Sequence, residues 1–150
     1  MIKWFLVLCC VSAIVVASSA CPENNVNPID VGKKQLQPIR IHHETVTSTR
    51  VPLKPAFCVD LVFDSNPSTG YTWRHEFQPA HSWVSLHQCG VVPPNTALIG
   101  APSLEMWTFC ADGVDEVQHE ATQVVEFVYE RSWSNEVAAK HTVTFVLESE

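Results

Sequence analysis

The chain has 150 residues, a formal net charge of −7 at pH 7 and 46% hydrophobic residues. A chain of this acidity without a run of Lys or Arg is poorly suited to bind nucleic acid, because phosphate contacts need cationic side chains. It is equally poorly suited to anionic membrane surfaces.

The first twenty residues have the pattern of a secretory signal peptide. Lys3 precedes an apolar run of 13 residues at 4–16, and small residues lead up to Ala20. The run is shorter than the ~20 residues that a membrane span requires, so we predict cleavage after Ala20 without membrane insertion. The protein would then be secreted, or directed to a lysosome or vacuole. Cys21 at the new N-terminus leaves a lipid-anchored form as the alternative.

Cleavage would leave residues 21–150, a length typical of one domain. Loss of Lys3 lowers the count of Lys and Arg from 9 to 8 against 16 acidic residues, so the formal charge becomes −8. Residues 21–38 are polar and contain three prolines, which indicates a flexible N-terminal segment. The remaining residues, 39–150, are predicted to form the domain.

Short strands separated by turn residues dominate the rest of the chain. Phe57, Val59, Leu61 and Phe63 alternate with more polar residues, which is the period of two that a half-buried strand shows. The same reasoning predicts strands at 39–51, 57–64, 71–77, 83–87, 104–111, 124–129 and 141–147, with long loops at 90–103 and 130–137. No stretch keeps a helical period. The pattern indicates an all-β sandwich or barrel.

The sequence offers no catalytic constellation. Seven histidines follow the signal segment, but none lies in H-E-x-x-H or near carboxylates at a ligand spacing, so we interpret them as surface or strand-edge residues. G-x-S-x-G, P-loop and Rossmann motifs are also missing from the sequence. We therefore expect no enzyme activity, no metal and no cofactor, which argues against a secreted hydrolase.

One loop is dense in turn chemistry. Asn66 can hydrogen-bond the main chain two residues on, Pro67 fixes φ, and Gly70 can adopt positive φ. A stiff loop with Ser68 and Thr69 at its tip follows from these preferences. Composition alone favours a simple strand connector, and a binding loop is the alternative.

Three motifs resemble the chagasin-like inhibitors of cysteine proteases. The segment 66–71 (NPSTGY), followed by Trp73, is similar to the N-P-T-T-G-Y-x-W signature of that family. The segment 129–133 (YERSW) is similar to Y-x-R-P-W, and 100–103 (GAPS) is placed where the family has G-x-G-G. The similarity covers roughly residues 39–148, in the order of the family.

The resemblance implies an immunoglobulin-like antiparallel β-sandwich of seven to eight strands. It also implies a reversible, tight-binding inhibitor of papain-like (cathepsin-type) cysteine proteases, in which three loops at one end occlude the active-site cleft. Ser68 and Thr69 would approach the catalytic pair, the Gly100 loop would follow the non-primed side, and Arg131 with Trp133 the primed side. The expected protease-binding residues are Asn66, Pro67, Ser68, Thr69, Gly70, Tyr71, Ile99, Gly100, Ala101, Arg131 and Trp133.

Two departures from the family pattern bear on selectivity. Ser132 replaces proline, which is expected to loosen the loop that carries Arg131 and Trp133. Ala101-Pro102-Ser103 replaces the glycine-rich run. We expect a monomer with altered protease selectivity, acting on an enzyme of the same organism or on one of a host or prey. The alternative is a secreted immunoglobulin-like binding or adhesion module without inhibitory activity.

Four cysteines follow the signal segment. In a sandwich of the implied topology, Cys58 and Cys110 would lie level on antiparallel neighbours, and we propose that they form a disulfide. Cys21 would be free or paired with Cys89. Five aromatic residues are interpreted as core rather than contact residues: Trp73, Trp107, Phe109, Phe127 and Phe145.

Overall fold

The computed structural model describes residues 19–20, 33–42, 47–78, 83–94, 96, 98, 100–112 and 121–148. Their regular elements are ten strands and one 3-10 turn: β1 (Ser19–Ala20), β2 (Lys34–Gln35), β3 (Ile39–Ile41), β4 (Ser48–Leu53), β5 (Phe57–Ser65), a 3-10 turn (Pro67–Thr69), β6 (Thr72–Gln78), β7 (Val84–Val92), β8 (Ser103–Ala111), β9 (Thr122–Arg131) and β10 (Glu136–Leu147). Within these ranges, no helix has the length and apolar character that crossing a membrane takes.

The strands form two sheets, which confirms the predicted sandwich. One sheet has the order β1-β6-β9-β10-β4, and the other has the order β2-β5-β8-β7 with β3 also paired to β5. Eight of the described strands have three or more residues. The long central pairs are antiparallel, but β4 pairs with β10, and β2 and β3 with β5, in parallel. The antiparallel sandwich predicted from the sequence is therefore supplemented by these parallel pairs.

The segment predicted as a first strand over 39–51 is divided between the two sheets. β3 pairs with β5, whereas β4 pairs with β10 in the opposite sheet. Residues 42–45 (HHET) supply no apolar side chain that could continue the alternation, so one uninterrupted strand on one face is not favoured.

Large side chains from both sheets fill the space between them. Phe63 of β5 meets Phe127 of β9 with ring centroids 4.6 Å apart, and Phe109 of β8 meets Phe145 of β10 at 5.3 Å. The five aromatic residues assigned to the core from the sequence are all fully buried, which confirms that interpretation: Trp73, Trp107, Phe109, Phe127 and Phe145. Burial of this apolar surface is the main stabilising contribution.

Two histidines correct the expectation that all of them lie at the surface or at strand edges. His75 of β6 and His141 of β10 are buried within central strands. Nε2 of His141 lies 2.9 Å from the hydroxyl oxygen of Thr49, so its polar atom is satisfied across the β4–β10 pair. The sequence pattern gives no sign of this, because the partner is 92 residues away.

Three strands are longer than the sequence pattern predicts, and the loops between them are shorter. β7 extends to Val92, β9 to Arg131, and β10 begins at Glu136. The loop predicted at 130–137 is therefore reduced to residues 132–135. Main-chain pairing continues past the buried residues, because a ladder needs only N–H and C=O groups.

Cys58 and Cys110 form a disulfide, the pairing expected above. They are opposite each other in the β5–β8 ladder, with Cα atoms 4.0 Å apart, and both are fully buried. Cys58 is near the start of β5 and Cys110 near the end of β8, so the bond lies far from the loop that follows Ser65. Cys89 is also disulfide-bonded. The expectation for Cys21 falls outside the described residues.

Candidate functional site

The loop of residues 66–71, here called the wedge loop, connects β5 of one sheet to β6 of the other. Pro67 begins a 3-10 turn, and Gly70 ends it in the left-handed region at φ 80°. The amide of Thr69 donates to the carbonyl of Asn66 (3.0 Å), and the amide of Gly70 to that of Pro67 (2.9 Å). Proline and glycine thus occupy the positions that their backbone preferences favour.

Side chains at the tip of the wedge loop are bonded to one another. The hydroxyl of Ser68 donates to Oδ1 of Asn66 (2.5 Å), and that of Thr69 to the carbonyl oxygen of Asn66 (2.6 Å). The sequence predicted that the Asn66 side chain would bond the main chain, but its partner is the Ser68 hydroxyl. Pro67, Ser68 and Thr69 are all exposed. The tip is therefore accessible and internally bonded.

Tyr129 of β9 contacts the wedge loop through both its hydroxyl group and its ring. Its hydroxyl accepts a hydrogen bond from the main-chain amide of Asn66 (2.9 Å). Its ring lies between Tyr71 and Trp73, with centroid distances of 5.2 and 4.9 Å. Sequence reasoning gave Tyr129 no role, although its place in the Y-x-R-x-W motif was a usable signal.

Arg131, the last residue of β9, hydrogen-bonds the wedge loop and directly precedes the third loop, residues 132–135. Nε donates to the carbonyl oxygen of Thr69 (3.0 Å), and Nη1 donates to Glu136 (3.1 Å). The guanidinium carbon also lies 4.5 Å from the centroid of the Tyr71 ring, within cation–π range. Tyr71 also shares a side-chain hydrogen bond with Glu136, and this bond raises the pKa of the Tyr71 hydroxyl. Desolvation acts in the same direction, and the positive charge of Arg131 opposes both.

Trp133 lies in the third loop and is 72% exposed, yet its ring contacts the wedge loop. A Cβ atom added to Gly70 would lie 2.0 Å from Cη2 of Trp133 and 2.5 Å from Cζ2. Gly70 therefore satisfies two requirements, positive φ and the absence of a side chain. The third loop itself is a turn in which the amide of Ser134 donates to the carbonyl of Arg131 (3.3 Å), with Asn135 at φ 53°.

The second loop comprises residues 93–102, and its described residues (93, 94, 96, 98 and 100–102) lie at the same end of the sandwich. Gly100 has φ 79°, and the amide of Ala101 donates to the carbonyl of Leu98 (3.3 Å). Pro102 lines a groove together with residues of β5, the wedge loop, β9 and β10: Asp64, Ser65, Asn66, Thr69, Tyr71, Tyr129, Arg131 and Ala138. Ile99, one of the expected contact residues, lies outside the described residues.

Exposed apolar side chains flank the wedge loop on both sides. Val91, Val92 and Leu98 are exposed at the end of β7 and in the second loop, and Trp133 and Val137 are exposed on the other side. Aromatic and aliphatic side chains of this kind, next to a well-packed centre, are typical of a protein-binding surface. The described residues contain no group of three or more His, Cys, Asp or Glu side chains placed to hold a metal ion.

The structure thus brings most of the expected contact residues together. Asn66, Thr69, Tyr71 and Arg131 line one groove, and Trp133 lies on Gly70. Sequence reasoning missed Glu136 and the buried Glu105 beneath the wedge loop. Glu105 had one signal, since it shares the alternating face of Trp107 and Phe109, where a carboxylate is unexpected.

Comparison with known proteins gives one family and several similar structures. The family model described as "Chagasin family peptidase inhibitor I42" matches residues 57–147. No curated protein sequence matches the chain. The structure is similar to the crystal structure of the cysteine protease inhibitor EhICP2 from Entamoeba histolytica, at 19% identity and a TM-score of 0.54, covering 74% of this chain and 96% of that one.

Two further solved structures have the same fold. The solution structure of Amebosin matches at 13% identity and a TM-score of 0.54, covering 78% of this chain and 100% of that one. PbICP-C, solved in complex with falcipain-2, matches at 12% identity and a TM-score of 0.51, covering 78% of this chain and 99% of that one.

Proposed function

The chain belongs to the chagasin family of peptidase inhibitors, and on this basis we propose that it is a reversible, tight-binding inhibitor of papain-like (cathepsin-type) cysteine proteases. The family consists of inhibitors, so the chain is not an enzyme. Two of the similar structures support the choice of target class, because one is a cysteine protease inhibitor and one is bound to falcipain-2.

The observation that carries this proposal is the set of hydrogen bonds that holds the exposed wedge loop. Its tip is exposed, yet its main chain is held by hydrogen bonds within the loop, by the Tyr129 hydroxyl that accepts from the Asn66 amide, and by the Arg131 guanidinium that donates to the Thr69 carbonyl. A loop that is ordered before binding loses little conformational entropy in the complex. Small tip residues, Ser68 and Thr69, suit a narrow cleft, and filling that cleft inhibits a protease without any covalent step.

The flanking loops would add affinity on each side of the cleft. Trp133 is the strongest candidate anchor, because exposed tryptophan is enriched among residues that dominate binding energy. The exposed valines of β7 and Leu98 would provide apolar contact area on the other side. Three loops acting together would cover about 1,600 Å² in total, the usual size of a protease–inhibitor interface.

Inhibition kinetics against papain and cathepsin-type proteases, with trypsin as a mechanistically different enzyme, test the proposal. Thr69→Arg would place a long charged side chain at the tip, and we expect a large loss of inhibition. Thr122→Arg is the matched control, since Thr122 is also exposed but begins β9 at the opposite end of the sandwich. No inhibition of any papain-like protease at micromolar inhibitor would contradict the proposal.

We also propose that the protein acts in the secretory pathway, either outside the cell or in a lysosome or vacuole. The Cys58–Cys110 disulfide supports this location, because disulfides persist in oxidising compartments. N-terminal sequencing and intact mass of the protein exported from its own cells test this. A start at Cys21 with unmodified mass is expected, whereas added lipid mass would favour the anchored alternative, and a retained N-terminus would contradict both.

A further inference from the structure

We propose that Glu105 is a positioning residue for inhibition, because its buried carboxylate ties together the two stems of the wedge loop. Glu105 lies in β8, and its hydrogen-bond partners Ser65 and Trp73 flank the wedge loop rather than forming its exposed tip. The proposal depends on the function proposed above only in naming a cysteine protease as the partner; the effect on the loop is measurable without one.

Main-chain pairing between strands does not fix the two ends of the wedge loop. Its two stems, β5 and β6, belong to different sheets, so no ladder of main-chain hydrogen bonds joins them. In a hairpin, that ladder would fix the separation and register of the loop ends. Here the loop crosses from one sheet to the other, and its shape depends on side chains that bridge the stems.

One carboxylate contacts both stems, in addition to the direct hydrogen bond that Nε1 of Trp73 donates to the carbonyl oxygen of Asp64 (3.0 Å). Ser65, the last residue of β5, donates its hydroxyl to Oε1 of Glu105 across 2.6 Å. Trp73, the second residue of β6, donates its main-chain amide to Oε2 across 3.3 Å. Because the two oxygens of a carboxylate have a fixed separation, these two bonds constrain the distance between the stems, together with the bond from Trp73 to Asp64.

Burial distinguishes Glu105 from an ordinary surface carboxylate. The side chain is 3% exposed, and burial raises its pKa, an effect that the hydrogen bonds from Ser65 and Trp73 offset only in part. The raised pKa means that ionised Glu105 costs stability near neutral pH, even though the Ser65 hydroxyl and the Trp73 amide would lose this acceptor if an apolar residue replaced it. A residue that the fold tolerates at the expense of stability, directly beneath the binding loop, indicates a role in function.

Three variants test the proposal. Glu105→Met removes both bonds at similar length, and Ser65→Ala removes one of them without changing a charge. Glu105→Gln keeps an oxygen that can accept from Trp73 and an amide that can donate to the Ser65 oxygen. The matched control is Thr108→Val, which removes the 2.6 Å hydrogen bond from Thr108 to Asp60, a polar pair on the same strand away from the loop.

The first readout is hydrogen exchange of the Thr69 and Gly70 amides in the free inhibitor, relative to that of the β10 amide of Val143. Both loop amides donate within the wedge loop, so their protection reports its order. We expect faster exchange in Glu105→Met and Ser65→Ala, and exchange like that of the unmodified protein in Glu105→Gln and Thr108→Val. Unchanged exchange in both Glu105→Met and Ser65→Ala would overturn the proposal.

The second readout is the kinetics of papain inhibition. We expect Glu105→Met to raise the dissociation rate at least about tenfold, and Glu105→Gln to restore it. Rescue by glutamine and a normal rate in Thr108→Val would separate positioning from loss of stability. If the unmodified protein inhibits no papain-like protease but exchange still responds, the target class is wrong and the positioning role stands.

Discussion

The guanidinium group of Arg131 donates its Nε–H to the main-chain carbonyl oxygen of Thr69 across 3.0 Å. Thr69 lies at the exposed tip of the wedge loop, and Arg131 ends β9, 62 residues later in the chain. The resemblance to the family implied that Arg131 contacts the protease, and that role stays a prediction. In the free protein its donors are directed at the wedge loop and at Glu136, so one side chain joins the wedge loop to the residue at which β10 begins, directly after the third loop.

Replacing Arg131 should therefore weaken inhibition more than it weakens the fold. Arg131→Ala removes the hydrogen bond that orders the Thr69 carbonyl in the free inhibitor, so the wedge loop loses more conformational entropy on binding, and we expect the inhibition constant to rise roughly tenfold or more. The free energy of unfolding should change by less than about 1 kcal/mol, because the ion pair with Glu136 is at the surface. Inhibition kinetics and urea denaturation measure the two effects.

Lys140→Ala is the control for Arg131→Ala. Lys140 pairs with Glu126 at 3.5 Å on the outer face of the β9–β10 pair and touches neither binding loop. It should change neither the inhibition constant nor the stability appreciably. Equal losses of inhibition in the two variants would show that net charge, rather than the bond to Thr69, is responsible.

Gly70→Ala separates backbone strain from the contact with Trp133. Alanine at φ 80° costs about 1–2 kcal/mol of stability, and Gly100→Ala at φ 79° with open space around it provides the reference for that cost. We expect equal losses of stability, measured by thermal unfolding, because the exposed Trp133 ring can swing away from the new methyl group. Inhibition should fall in Gly70→Ala, since the displaced ring no longer lies on the wedge loop.

A double-mutant cycle with Trp133→Ala checks this interpretation. If Gly70→Ala acts by displacing the ring, the double variant should inhibit about as well as Trp133→Ala alone. Additive losses of binding free energy would instead assign the effect of Gly70→Ala to the loop backbone.

Local chemistry made part of this site predictable from the sequence. Pro67 and Gly70 set the turn through their own φ preferences, and alternation placed Trp107 and Phe109 in the core. The contacts between loops were not predictable, because Arg131 and Thr69 are distant in sequence and nothing local encodes their meeting. The parallel pairing of β4 with β10 was missed for the same reason. Glu105 could be recognised only as an anomaly, a carboxylate on an apolar face.

Asp112 should make stability sensitive to strong acid. Desolvation would raise its pKa, but hydrogen bonds from Lys33, Ser85 and His87 together lower it from an ordinary 3.8 to about 2. A carboxylate whose pKa is lower in the folded protein than in the unfolded chain contributes stability at pH values above its unfolded pKa. This contribution is lost as the pH falls through its pKa in the folded protein. We therefore expect Asp112→Asn to lower the free energy of unfolding at pH 7 by about 1 kcal/mol, after allowance for solvent screening.

Denaturant unfolding of both proteins between pH 7 and pH 2 measures this contribution. The difference between the unmodified protein and Asp112→Asn should be constant above about pH 4 and shrink toward pH 2. A difference that stays the same down to pH 2 would mean that Asp112 is not held in its ionised form by the cluster.

Glu105 should make the free energy of unfolding depend on pH in the opposite direction to Asp112. Burial raises its pKa above the ordinary 4.5, and its two hydrogen-bond partners, Ser65 and Trp73, carry no charge. The folded protein then binds the proton more tightly than the unfolded chain, so ionised Glu105 opposes folding near neutral pH. Acidification from neutral pH toward 4.5 should stabilise the unmodified protein relative to Glu105→Gln. A difference that is flat with pH over this window would contradict the raised pKa.

The Cys58–Cys110 disulfide should support the fold without contributing to the binding surface. The two cysteines are 52 residues apart and lie at the end of the β5–β8 pair away from the wedge loop. Closing a loop of this length is worth about 4 kcal/mol in the chain-entropy model, so Cys58→Ala/Cys110→Ala should lower the free energy of unfolding by that order. Substitution is preferable to a reductant, because Cys89 is also disulfide-bonded and would be reduced as well. At a temperature where the variant is folded, its inhibition constant should equal that of the unmodified protein. A higher inhibition constant under those conditions would mean that the disulfide also positions the wedge loop, through β5 and Ser65.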